Sequence, residues 1–186
     1  MQNIYVTRCL QKTDDIRRLT DRMFEYALVY DASEPEQIRM ISFSLSRLLE
    51  LFREQMDFLE LAGFHTDISF PDADTSDITT PDALTIQADP ELCKRILNNL
   101  FSNILKYGSK QETVTLSVQL PPEINKDAAL CLALKNTVKP EHSAVESNRI
   151  GLKSSTRNME RMGGKLVVFQ TDTFFEVTLS FPVTAP

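Results

Sequence analysis

The segment 95–108, RILNNLFSNILKYG, places three asparagines, Asn98, Asn99 and Asn103, within six positions of what reads as a helix. Asparagine is a mediocre helix former because its side chain competes for backbone hydrogen bonds, at about 0.5 kcal/mol or more each relative to alanine. Helical residues advance about 100° each, so Arg95, Asn99, Asn103 and Lys106 share one stripe about 80° wide. Leu92, Cys93, Ile96, Leu97, Leu100, Phe101 and Ile104 form the adjoining apolar face, and Tyr107 lies at the border. Two readings follow. The stripe is a solvated polar face, or it is a binding face that uses amide chemistry. An asparagine carbonyl is a hard, uncharged oxygen ligand for Mg²⁺. A metal that bridges phosphates gains such an oxygen without carboxylate–phosphate repulsion. On this second reading Lys106 meets phosphate, and the Tyr107 ring meets a base or sugar. Spacing alone does not choose between the two.

The elements around this helix must position it. Asp89 is a good N-cap, Pro90 suits the first helical position, and Gly108 ends the helix. Upstream, Tyr5, Cys9, Lys12, Ile16, Leu19, Met23, Tyr26 and Tyr30 alternate spacings of four and three, the seam of a helix that pairs with another or lies on its own domain. Residues 31–37 read as a linker containing Pro35. A second helix is predicted from Ile38 or Ser42 to Ala62. Its apolar face is Leu45, Leu48, Leu49, Phe52, Met56, Leu59 and Leu61, and Gly63 ends it. Strands are predicted over 64–70, 83–88, 112–120 and 128–136, a helix over 151–162, and a hairpin over 165–181 with its turn near Thr171 and Asp172. Of the five glycines only Gly151 opens a helix, where a missing side chain lets a ligand approach backbone amides.

The totals exclude several classes. A net charge of −6 over 186 residues argues against nonspecific nucleic-acid binding. No apolar run approaches the roughly 18 residues of a membrane span, and no signal peptide opens the chain. Cys9, Cys93 and Cys131 are far apart, and His65 and His142 stand away from them, so reduced thiols and no zinc site are expected.

The stretch ADPELCKRILNNLFSNILKYG resembles the N box of sensor histidine kinases, where N-L-x-x-N-x-x-K-Y recurs on the metal-binding helix. Asn99, Leu100, Asn103, Lys106 and Tyr107 fit that pattern residue by residue. RIGLKSSTRNMERMGGKL resembles the family's second glycine box, FEVTLSFP its last strand, and DIRRLTDRMFEYALV the second helix of its dimerisation domain. The resemblance implies an α+β fold, a two-layer α/β sandwich with a mixed sheet covered by helices on one face, as in gyrase and chaperone ATPases, preceded by an N-terminal helix. It implies a partial dimerisation helix over 1–30 and an ATP-binding catalytic domain over 36–186.

The resemblance further implies ATP and Mg²⁺ as cofactors. Asn103 would coordinate the metal, Asn99 would assist at the phosphates, Lys106 would pair with phosphate, and Tyr107 would lie beside adenine or ribose. Gly151 and Leu152 keep part of the second box, and Arg149 replaces its first glycine. The family's adenine-contacting aspartate is replaced by Asn136, and the glycines of that first box are absent. An amide oxygen still accepts a hydrogen bond, at a cost of about 1 kcal/mol relative to a charged acceptor. The stretch 137–150 would be the nucleotide lid. Neither His65 nor His142 fits the phosphoacceptor motif, so the chain is expected to be a fragment whose acceptor helix lies elsewhere. The expected activity is transfer of the γ-phosphoryl of ATP to that histidine, for phosphorelay to a response regulator. Expected partners are a second kinase chain, through the N-terminal helix, and the regulator, with no nucleic acid. A cytoplasmic location is expected, with membrane attachment only through segments outside this chain. The competing function is a non-catalytic regulatory module that keeps the sandwich as a protein-binding surface.

Overall fold

The computed structural model describes residues 12–13, 37–70, 84–121, 128–139 and 150–184. The chain forms two compact units, Met1–Gln37 and Ile38–Pro186. Within the first, Lys12 and Thr13 are helical and exposed. The rest of the heptad seam lies outside the described residues, as do the stretches 71–83 and 140–149, the latter carrying His142 and Arg149.

In the second unit β1 (Ile41–Ser44) runs directly into α1 (Leu45–Leu61). The helix therefore starts later than its sequence suggests. Ser44 is the N-cap, its hydroxyl accepting from Arg47 N at 3.2 Å. The four residues before it are drawn into an antiparallel pair with β3 (Thr85–Ala88), Ile41 opposite Ala88. A long-range ladder thus overrides a segment whose local pattern continues the helix. Leu45, Leu48, Leu49, Leu51, Phe52, Met56 and Leu59 are buried, whereas Leu61, expected on the apolar face, is 85% exposed. The chain leaves α1 through Gly63 at φ 88°, a left-handed conformation that favours glycine.

The remaining strands are β2 (Thr66–Ser69), β4 (Val114–Gln119), β5 (Ala129–Thr137), β6 (Lys165–Gln170) and β7 (Phe174–Thr184). The sheet order is β1-β3-β7-β5-β4-β2, with β6 paired to β7 beside β3. Among the described residues only β2–β4 is parallel, which makes the sheet mixed. Alternation decides which face is covered. Leu116, Val118, Leu130, Leu132, Leu134, Val177, Leu179 and Phe181 point to one side, into a single core with α1, α2 (Pro90–Tyr107) and α3 (Ile150–Arg161). The opposite side carries Thr115, Ser117, Cys131, Ala133, Thr178 and Ser180, all partly exposed. This is the expected two-layer sandwich. Among the described residues no helix is long and apolar enough to cross a membrane.

Candidate functional site

The site is organised by α2. Asp89 caps it, accepting from Glu91 N at 2.9 Å and Leu92 N at 3.3 Å, and Pro90 occupies the first turn. The buried residues are Leu92, Cys93, Ile96, Leu97, Leu100, Phe101 and Ile104, the face expected from spacing. That face fixes the rotation of the helix. Asn98, Arg95 and Lys106 become exposed, while Asn99, Asn103 and Tyr107 sit half-buried at the border of the core. The asparagines at the kinase-motif positions therefore stand apart from the solvated Asn98.

Asn99 joins α2 to the first turns of α3. Its Nδ2 donates to Gly151 O at 3.4 Å and to Ser155 Oγ at 3.3 Å. Ser155 is fully buried. It was not singled out in the sequence, although it lies four residues, about one helical turn, after Gly151 and so shares its face. A Cβ added to Gly151 would lie 3.6–3.9 Å from the Asn99 amide, an ordinary contact. Packing within the protein thus does not demand glycine here. What the missing side chain leaves is room for one ordinary van der Waals contact with the amide. Leu152 is partly buried against the core, and its carbonyl accepts from Thr156 Oγ1 at 2.9 Å.

The other end of α2 is stitched to the end of β5. Thr137 O accepts from Ser109 N at 2.8 Å, Lys139 N donates to Tyr107 O at 2.9 Å, and Gly108 bridges Val138. Lys139 Nζ reaches Lys106 O at 3.5 Å. Thr137 O also takes Asn136 Nδ2 at 3.0 Å. Asn136 is 4% exposed, and its Oδ1 accepts no hydrogen bond among the described residues. A buried acceptor left unpaired costs about 1–3 kcal/mol, which a ligand N–H recovers. The geometry also explains why asparagine suits this backbone. An aspartate would turn a carboxylate oxygen toward the Thr137 carbonyl, replacing a hydrogen bond by repulsion.

The structure therefore brings Asn99 of α2 against Gly151, and ties the backbone of Lys106 and Tyr107 to Lys139, three residues after Asn136. Among the described residues the Asn103 side chain makes no hydrogen bond, and no cluster of three or more histidine, cysteine or acidic residues could hold a metal. Arg149 lies outside the described residues. His65 is exposed just before β2, its carbonyl accepting from Val114 N at 2.8 Å. Cys93 is buried, and desolvation together with the charge of Asp89 pushes its thiol up to about 12, which makes it inert.

The fold is that of histidine kinase catalytic domains. The catalytic domain of histidine kinase ThkA superposes with a TM-score of 0.57 at 14% identity, covering 80% of this chain and 99% of that one. The Acinetobacter baumannii histidine kinase AdeS gives 0.58 at 12% identity, over 93% of this chain and 81% of that one. The cytoplasmic segment of histidine kinase QseC gives 0.54 at 14% identity, over 90% and 92%. In sequence the chain is similar to one sensor histidine kinase. YrkQ, a sensor histidine kinase of Bacillus subtilis (strain 168), is 25% identical over 181 residues, 95% of this chain and 37% of that protein. The chain thus spans little more than a third of that relative's length. No family model matches it.

Proposed function

We propose that the chain is the ATP-binding catalytic portion of a sensor histidine kinase. It would transfer the γ-phosphoryl of ATP to a histidine supplied by another segment, for relay to a response regulator. The observation that carries this reading is the assembly along α2. Three sequence segments, 95–108, 136–139 and 151–155, meet there through Asn99, Gly151, Ser155, Thr137 and Tyr107. Asn136 would accept from the adenine amino group with its unpaired Oδ1. Lys106 and Asn99 would face the phosphates, the latter across the space beside Gly151. Tyr107 would lie beside adenine or ribose, and Leu152 and Arg149 would complete the second box. Asn103 would hold Mg²⁺. Its free amide oxygen fits a cation that takes one or two protein oxygens and keeps its waters. When bound, the metal neutralises charge on the phosphates. The side chains of this chain would bind and orient; among the described residues none is placed as a covalent nucleophile.

Residues 1–30 would be the second helix of a dimerisation hairpin, pairing with an acceptor helix and a second kinase chain, and 36–186 the catalytic domain. The location would be cytoplasmic. The neutral Asn136 in place of an aspartate favours a second reading, a regulatory module with weak or no ATP binding. Transfer of labelled γ-phosphate separates them. The chain alone should take up no label, because exposed His65 cannot be held in line with a phosphoryl group. A helical bundle carrying an acceptor histidine should become labelled when this chain and Mg²⁺·ATP are added. Acid-labile phosphate on His65 or His142 would contradict the reading, and absence of both binding and transfer would favour the regulatory module.

A further inference from the structure

We propose that the free edge of β6 is a self-association surface, on which a second copy of this chain pairs its own β6 antiparallel about a two-fold axis through Val168. Among the described residues β6 hydrogen-bonds to β7 alone, so its other edge presents unpaired backbone groups. That edge is apolar. Val167 is 45%, Val168 37% and Phe169 57% exposed, and the Phe169 ring rests on Phe174 at 5.6 Å. Exposed edges are usually guarded by a charge or a proline. From Leu166 to Thr171 this strand has neither. Such uncharged, β-prone runs of six residues are the ones that template pairing with another chain.

Charge selects the partner and the direction. The strand is flanked by Lys165 at one end and Asp172 at the other, both exposed. Antiparallel pairing of two copies brings Lys165 of each beside Asp172 of the other, whereas parallel pairing sets like against like. The pleat selects the register, because opposed residues must share a face. Val167 and Phe169 share a face with Thr178 and Glu176, while Val168 shares the core side with Val177. A two-fold axis through Val168 sets Val167 opposite Phe169 of the second copy, and Lys165 opposite Thr171 next to Asp172. An axis through Val167 would instead place the Lys165 ammonium opposite Phe169 and lose both charge pairs. A contact of one short strand falls below the roughly 1,200 Å² of a stable complex, so the dimer is weak and depends on concentration.

Oxidative crosslinking of the full chain carrying Val168→Cys tests this. Opposed Cα atoms in an antiparallel ladder lie about 4.5–5.5 Å apart, within disulfide reach. Disulfide-linked dimer should exceed that of the unsubstituted chain and of Glu54→Cys, an exposed control on α1. It should be lost when Val167→Lys is added. Lys165→Glu should lower the yield, and Asp172→Lys in the same chain should restore it. Yields equal to the Glu54→Cys control, or a charge swap that fails to restore the dimer, would each overturn the proposal.

Discussion

At the first turn of α2 the polar groups are matched. Asp89 Oδ2 takes Arg39 N at 2.7 Å, Oδ1 takes Glu91 N and Leu92 N, and Asp89 N itself donates to Met162 Sδ at 3.3 Å. In the last three turns of the same helix the match is incomplete. Asn99 has committed its NH₂ to α3, and among the described residues Asn103 has no side-chain hydrogen bond and the buried Asn136 oxygen accepts none. Both ends of the helix rest on the same apolar face, although Asp89 is buried and Asn99 and Asn103 are half-buried. The difference is satisfaction. Saturated polar groups hold elements together, whereas unsatisfied ones at the edge of a core stay open to water or a ligand.

The sharpest way to break this comparison is Asp89→Ala. It strips three backbone donors of a charged acceptor, so unfolding free energy should fall by about 2 kcal/mol, measured by denaturant titration. A loss of nucleotide binding without a loss of stability would put Asp89 on the wrong side of the divide.

The same end of the helix should show its burial in a pH profile. The folded Cys93 pKa of about 12 lies above the ordinary thiol value of 9.0, first through desolvation and then through Asp89. The neutral thiol is favoured in the folded state, so its contribution is fully present below pH 9 and is lost as pH rises through 12. Stability should fall across that window with a slope on the order of 1 kcal/mol per pH unit from this group. Cys93→Ala, although less stable at neutral pH, should show a shallower alkaline slope; an unchanged slope would show that the thiol ionises freely.

At the other end, Gly151→Ala should leave the fold intact and even raise stability by about 0.5 kcal/mol, since alanine suits a helix and the added Cβ makes only ordinary contacts. Nucleotide affinity should drop, because the same Cβ fills the space beside Asn99. Unchanged affinity would remove Gly151 from the site.

Much of this was legible in the chain itself. Asp89, Pro90 and Gly108 bound α2 through local capping chemistry, and a 3.6-residue period named its buried face. The sandwich and the order of its motifs came from family resemblance. What escaped depended on distant partners. Residues 41–44 continue a helical pattern and become a strand only because Thr85–Ala88 lies beside them. Ser155 gains its role from Asn99, 56 positions away. The orientation of the Asn136 amide is fixed by its neighbour's carbonyl, which no residue pattern reveals.

The central claim, that the Asn99–Tyr107 half of α2 is a Mg²⁺·ATP site, is tested most directly by calorimetric titration of ATP with and without Mg²⁺ into the parent chain and Asn103→Ala. The account predicts that Mg²⁺ tightens binding to the parent and has no effect on Asn103→Ala, while the two proteins unfold within about 0.5 kcal/mol of each other, as expected of a partly exposed side chain with no hydrogen bond among the described residues. ATP binding that is tight, independent of Mg²⁺ and indifferent to Asn103→Ala would contradict it.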